Sequence, residues 1–175
     1  MPTPEPVAAA PTAAEVEHWF DELGLTPLER VDREGVTSWD LTLDGLRRFD
    51  IRVTLIFDPG LGLITWVHYA PPVSDSFRKS YRKLLHWNDE YPFAKFALGA
   101  DERPVLTSEL PRALMSRDEL GFTIVRLLTI CDQLLDESAG WLWIGGRIPG
   151  HGDRVSRQVD LVARYRDQLG DLRPS

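Results

Sequence analysis

YRKLLHWNDEYPFAKFAL, Tyr81 to Leu98, decides the fold. A basic amphipathic run ends at Trp87-Asn88, Pro92 breaks it, and an aromatic strand-like segment follows at once. Proline cannot continue a helix and disfavours helical backbone in the residue before it, so the boundary is sharp. Phe77, Tyr81, Leu84, Leu85 and Asn88 fall at helical spacing and predict the buried stripe, with Ser74 or Asp75 as the cap. Phe93 to Leu98 and Pro104 to Leu110 flank a polar turn and predict a hairpin. Asn88 stands where that stripe would carry a hydrophobe. Its amide is expected to be buried and bonded to backbone near Tyr91 or the adjoining strand.

Upstream the period changes to two. Trp39, Leu41 and Leu43 alternate with Ser38, Asp40 and Thr42, and Phe49 to Phe57 alternate in the same way with Arg48 to Ile56. Asp44-Gly45 predicts a primed turn between these strands, Asp58-Pro59-Gly60 the next turn, and Leu61 to Tyr69 a third strand. Further upstream, Thr12 and Glu15 form a capping box for a short helix carrying Val16, Trp19, Phe20 and Leu23, stopped by Gly24. Residues 25–35 read as a polar connector and residues 1–11 as a mobile Pro/Ala-rich tail.

Downstream, Ser116 and Glu119 cap a long helix with Leu120, Ile124, Leu127, Leu128, Cys131 and Leu135 in its stripe, ending at Gly140. The order is α-β-β-β-α-β-β-α, an α+β domain over residues 12–140 with helices packed on one antiparallel sheet. Residues 141–175 form a C-terminal extension: a glycine-rich turn, then a final helix with Val155, Val159, Val162 and Leu169 on one side. The predicted core unites Trp19, Phe20, Leu55, Phe57, Leu85, Phe96, Ile124, Leu127 and Leu128.

The chain has 175 residues, is 43% hydrophobic and carries a formal charge of −7. That length supports a core without metal or disulfide, and that charge argues against bulk attraction to nucleic acid or anionic lipid. Cys131 is the one cysteine, so there is no internal disulfide and no CxxC motif. The N-terminus lacks a basic n-region with an apolar h-region, and no apolar stretch approaches the roughly 20 residues of a membrane span. A soluble cytoplasmic protein is expected.

No reaction follows from the candidate chemistry. GGRIPGHG, Gly145 to Gly152, sits before a helix but lacks the GK[ST] of a P-loop and the spacing of GxGxxG. His18, His68, His86 and His151 have no metal-ligand spacing, and Cys131 lies in an apolar stripe. Adjacent acids, as at Asp89-Glu90 and Asp136-Glu137, diverge by about 100° on a helix. No catalytic residue, metal ligand or cofactor is predicted. A small-ligand or enzymatic site between sheet and extension, near Arg147 and His151, is the alternative.

Two surfaces are candidates for a protein partner. Arg78, Lys79, Arg82 and Lys83 form a basic helix face on an acidic protein, suited to an acidic partner segment. If Leu63, Thr65 and Val67 face the helices, Trp66 stands with Ile64 and His68 on the opposite side of the sheet, among polar neighbours. Either it meets a partner, or the final helix of the same chain covers it.

Tyr81 to Leu85 with Asn88, Phe93 to Leu98, the hairpin to Val105-Leu106 and SRDELGFTIVRLLTICDQLLDES, Ser116 to Ser138, resemble the YbjN family of bacterial sensory transduction regulators. In order of elements they are also similar to the fold of type III secretion chaperones. The likeness covers roughly residues 13–139. It implies a regulatory or chaperone-like role without catalysis, a protein partner and frequent dimerisation.

Overall fold

Glu15 N–H donates to the Thr12 hydroxyl at 3.3 Å while Thr12 N–H donates to the Glu15 carboxylate at 2.7 Å, closing the capping box that starts α1 (Ala13–Leu23). A computed structural model describes the chain over residues 10–73, 77–170 and 172, the side chains of Phe77 and Arg78 excepted. After α1 come β1 (Glu29–Arg33), β2 (Val36–Leu43), β3 (Ile51–Asp58), β4 (Gly62–His68) and α2 (Phe77–Glu90). They are followed by β5 (Lys95–Leu98), β6 (Pro104–Pro111), α3 (Arg117–Gln133), α4 (Leu135–Leu142) and α5 (Val159–Leu169). The strands form one antiparallel sheet in the order β1-β2-β3-β4-β6-β5. The expected α+β architecture is present, with one strand more than the sequence pattern showed.

That strand is β1, inside the supposed connector. Arg33 pairs with Val36 across Glu34 and Gly35, whose φ values of 53° and 83° make the two-residue loop that a twisted hairpin prefers. Asp44-Gly45, by contrast, does not form a two-residue turn. Residues 44–50 form a longer loop, and Phe49 precedes β3.

The period-two reading of the strands holds. Trp39, Leu41, Leu43, Ile51, Val53, Leu55, Phe57, Leu63, Val67, Phe96, Leu106 and Leu110 are buried on one face, against the helices. α3 crosses this face. It is buried on more than one side, through Leu120, Ile124, Val125, Leu127, Leu128, Ile130 and Cys131, because α5 packs on it from outside. Gly121 sets that approach: a Cβ there would lie 2.6 Å from the Tyr165 ring. Bulk is excluded at this point.

Several expected positions move. Leu84 of the predicted stripe is buried, but Leu85 is 69% exposed, because α2 turns Ser80 and Trp87 inward beside Leu84, with Tyr91 buried just after it. Trp87 draws the helix round by packing on Phe96 and Trp141, with ring centroids 5.2 and 5.4 Å away. Trp19 is half-buried; the other predicted core residues are buried. The long helix breaks at Leu134, and Gly140 lies inside α4. Val155 is in a loop, and α5 buries Leu161, Val162 and Tyr165. The predicted caps Ser74 and Asp75 lie outside the described residues.

Candidate functional site

The second face of the sheet has no described element packed across it. Alternation brings Asp40, Arg52, Thr54, Ile56, Ile64, Trp66, His68, Lys95, Thr107 and Glu109 to it. Trp66 is half-buried near its middle, between Thr54 on β3 and Thr107 on β6, and Ile64 beside it is 36% exposed. The final helix, one of the two expected covers for Trp66, packs on α3 instead.

The polar groups around Trp66 are tied to one another. Arg52 donates to Asp40 at 2.8 Å and the Thr54 hydroxyl donates to the other Asp40 oxygen at 2.5 Å. With its proton so used, Thr54 accepts from His68 Nε2–H at 2.9 Å, which leaves Nδ1 of that ring as an acceptor. Burial, then the Arg52 charge, lower the His68 pKa below its ordinary value. The ring stays neutral at neutral pH.

Neither edge of the sheet invites another strand. At β5, Phe96 N–H donates to Asn88 Oδ1 at 2.5 Å and Asn88 Nδ2 donates to Phe96 O at 3.1 Å. The half-buried asparagine thus takes the backbone bonds that an added strand would seek, and the expected backbone role of Asn88 is met on the adjoining strand. At β1 every residue is exposed, and Arg30 bridges Glu17 at 2.7 Å and Asp32 at 3.0 Å, a charged edge of the kind that discourages pairing.

At the rim of the open face lies a feature the sequence reading missed. Phe93, read as strand, sits in the turn before β5 with φ of 62° and is 77% exposed. Pro92 favours a turn whose next residue has positive φ, a place usually taken by Gly or Asn. Left-handed backbone costs a residue with a Cβ about 1–2 kcal/mol, and exposing the ring forgoes its burial. The ring stacks with Arg126 of α3, whose guanidinium carbon is 5.2 Å from the Phe93 centroid and 4.5 Å from that of Phe122. Arg126 is half-buried and has no hydrogen bond or ion pair with any described residue. Burial lowers its pKa, opposed by the Glu119 charge. Phe93 also lines a groove of about 310 Å³ with Lys95, Thr107, Ser108 and Glu109. The unusual signal available in the sequence was an aromatic directly after Pro92.

The basic helix face is separate from Trp66. Lys79 and Arg82 are exposed on α2; Lys83 lies 4.0 Å from Glu137 and over the Trp87 ring at 5.9 Å. The Arg78 side chain lies outside the described residues. α2 belongs to the helical layer and Trp66 to the opposite face, so the two candidate surfaces do not form one site.

The glycine-rich loop gathers no reactive set. Arg147 is exposed, and the His151 ring stacks on Phe49 with centroids 4.1 Å apart. The nearby carboxylates Asp44 and Asp50 are both engaged by Arg154 and Arg157. Asp44 is fully buried and also accepts from the N–H groups of Asp50 and Arg157, while Gln158 and Ser156 bond its backbone. Burial alone would raise its pKa; the bonds from Arg157 and Asp50 outweigh it and hold the carboxyl well below the usual range. This cluster fastens the extension to the sheet. Among the described residues no three His, Cys, Asp or Glu side chains are grouped to hold a metal, and no helix is long and apolar enough to cross a membrane.

Residues 12–139 match the model of the YbjN family, described as "putative bacterial sensory transduction regulator". No curated protein matches the chain.

Proposed function

The chain belongs to the YbjN family, and from that premise we propose that it is a non-enzymatic regulatory domain that binds a protein on the open face of its sheet. The observation that carries the reading is Trp66. A half-buried tryptophan beside an exposed isoleucine, in the middle of a sheet face that no described element covers, has the make-up of an interface anchor. The blocked edges favour face-to-face docking over strand addition. The partner is another protein or a second copy of this chain, acting in the cytoplasm, and a chaperone-like use of the same face is one form of the role.

Sedimentation at several concentrations, with crosslinking from a photoreactive residue at position 66, tests this in full-length protein. Wild type is expected to associate or crosslink through this face, and Trp66→Ala to weaken that association by about 2 kcal/mol or more while unfolding at the same denaturant concentration. A strict monomer with no crosslink from position 66 in its native cell extract removes the reading and leaves the basic face of α2, Lys79 to Lys83, as the remaining surface.

A further inference from the structure

Resting on that open-face reading, we propose that Arg126 and Phe93 anchor an acidic–apolar segment of the partner protein. One carboxylate of the segment pairs with the Arg126 guanidinium, and a neighbouring apolar side chain enters the groove beside Phe93. Four observations converge on this assignment.

The Arg126 guanidinium carbon lies over both the Phe93 and Phe122 rings, yet its donors meet no acid among the described residues. A guanidinium packed against two rings, with its fork unused, is suited to a bidentate carboxylate. Phe93 is kept in an unfavourable backbone conformation that exposes its ring, as residues at binding sites often are. The groove it lines offers the methyl and methylene groups of Thr107 and Lys95, and the Lys95 ammonium has no ion-pair partner among the described residues. Glu109, also in the lining, disfavours a second acid there and so favours an apolar side chain in the groove.

The groove also adjoins Trp66. Trp66 pairs with Thr107, and Thr107 with Lys95, so the tryptophan and the lysine are two strand spacings apart, roughly 10 Å. About three extended residues span that distance. One short segment can reach from Trp66 to the groove that Phe93 lines.

The test uses the ¹⁵N-labelled full-length protein and an end-blocked octapeptide of alternating Glu and Leu, with its Gln–Leu counterpart and inorganic phosphate as controls. The Arg126 Nε–H and Trp66 indole resonances are followed. The acidic peptide is expected to move both resonances and the Gln peptide neither. Arg126→Gln should weaken binding about tenfold, and Arg126→Lys should not restore it, because an ammonium lacks the planar fork. An Arg126 resonance that never moves, equal affinity in Arg126→Gln, or phosphate moving it as strongly as the peptide overturns the assignment. Trp66→Ala separates the two claims. Peptide still held by Arg126 in that variant supports the anchor and counts against the wider open face. Equal peptide affinity in Arg126→Gln, with crosslinking intact in the separate protein that carries the photoreactive residue at position 66, overturns the anchor alone.

Discussion

Two arginine sites in this chain are built in opposite ways. Arg154 and Arg157 converge on a buried carboxylate, Asp44, and on Asp50, and every charge there has a partner. Arg126 lies over two rings, with the Glu119 charge nearby but no ion pair to any described residue, beside a phenylalanine held outward in left-handed backbone. The first arrangement is finished and holds the C-terminal extension to the sheet. The second is incomplete among the described residues. A cation whose partners lie inside the fold reports on stability; one oriented and left open reports on something that arrives from outside.

The comparison breaks first if the clasp proves dispensable. Asp44→Ala leaves Arg154 and Arg157 with only the exposed Asp50 between them and frees the N–H groups of Asp50 and Arg157, so it should cost about 2–4 kcal/mol at pH 7 in urea unfolding. The pH dependence has a definite sign. Asp44's folded pKa lies below its unfolded value of about 3.9, so its contribution is present above that value and lost as pH falls toward the folded one. The gap between wild type and variant should therefore stay wide at neutral pH and narrow below about pH 4. A gap that does not change with pH would mean the carboxylate's charge is not what fastens the extension.

Asn88 is the next test, since it shows whether a satisfied polar contact at the sheet edge behaves like the clasp. Asn88→Leu strands the N–H and carbonyl of Phe96 and should lose about 1–3 kcal/mol. Hydrogen exchange at Phe96 should quicken in the same variant. Unchanged exchange would show that solvent already serves this edge.

What could be read from the sequence followed from regular burial. Val53, Leu55 and Phe57 alternate because one face of their strand is dry, and Trp66 was placed on the open face by parity with Leu63 and Val67. Asn88 stood out because a polar residue occupied an apolar register. The failures have equally local causes. β1 reads Glu-Arg-Val-Asp-Arg and is exposed throughout, so it offers no alternation; it is a strand because Glu34-Gly35 folds it onto β2. α2 carries apolar residues on two overlapping stripes, and only the packing of Trp87 against Phe96 and Trp141 selects between them, leaving Leu85 outside. The clasp joins residues more than a hundred positions apart, and Arg126 meets Phe93 only after α3 has crossed the sheet. Patterns within one element cannot show pairings between elements so distant.

The smallest expected effect is the sharpest test of the contrast. Phe93→Gly removes an exposed ring and relieves left-handed backbone, a gain of about 1–2 kcal/mol. Against that stand the extra freedom of glycine in the unfolded chain, about 0.5–1 kcal/mol, and the lost stacking on Arg126, about 0.5–1 kcal/mol at an exposed site. The terms nearly cancel, so stability should change by less than about 1 kcal/mol, where truncating a buried phenylalanine such as Phe57 to alanine costs about 3–5 kcal/mol. Urea midpoints for wild type, Phe93→Gly and Phe57→Ala measured side by side decide it. A loss above about 2 kcal/mol at Phe93 would place its ring among the structural contacts and make the Arg126 site as self-contained as the clasp. A near-zero change means that the ring does little for the fold, which is what a residue kept for an external partner should show.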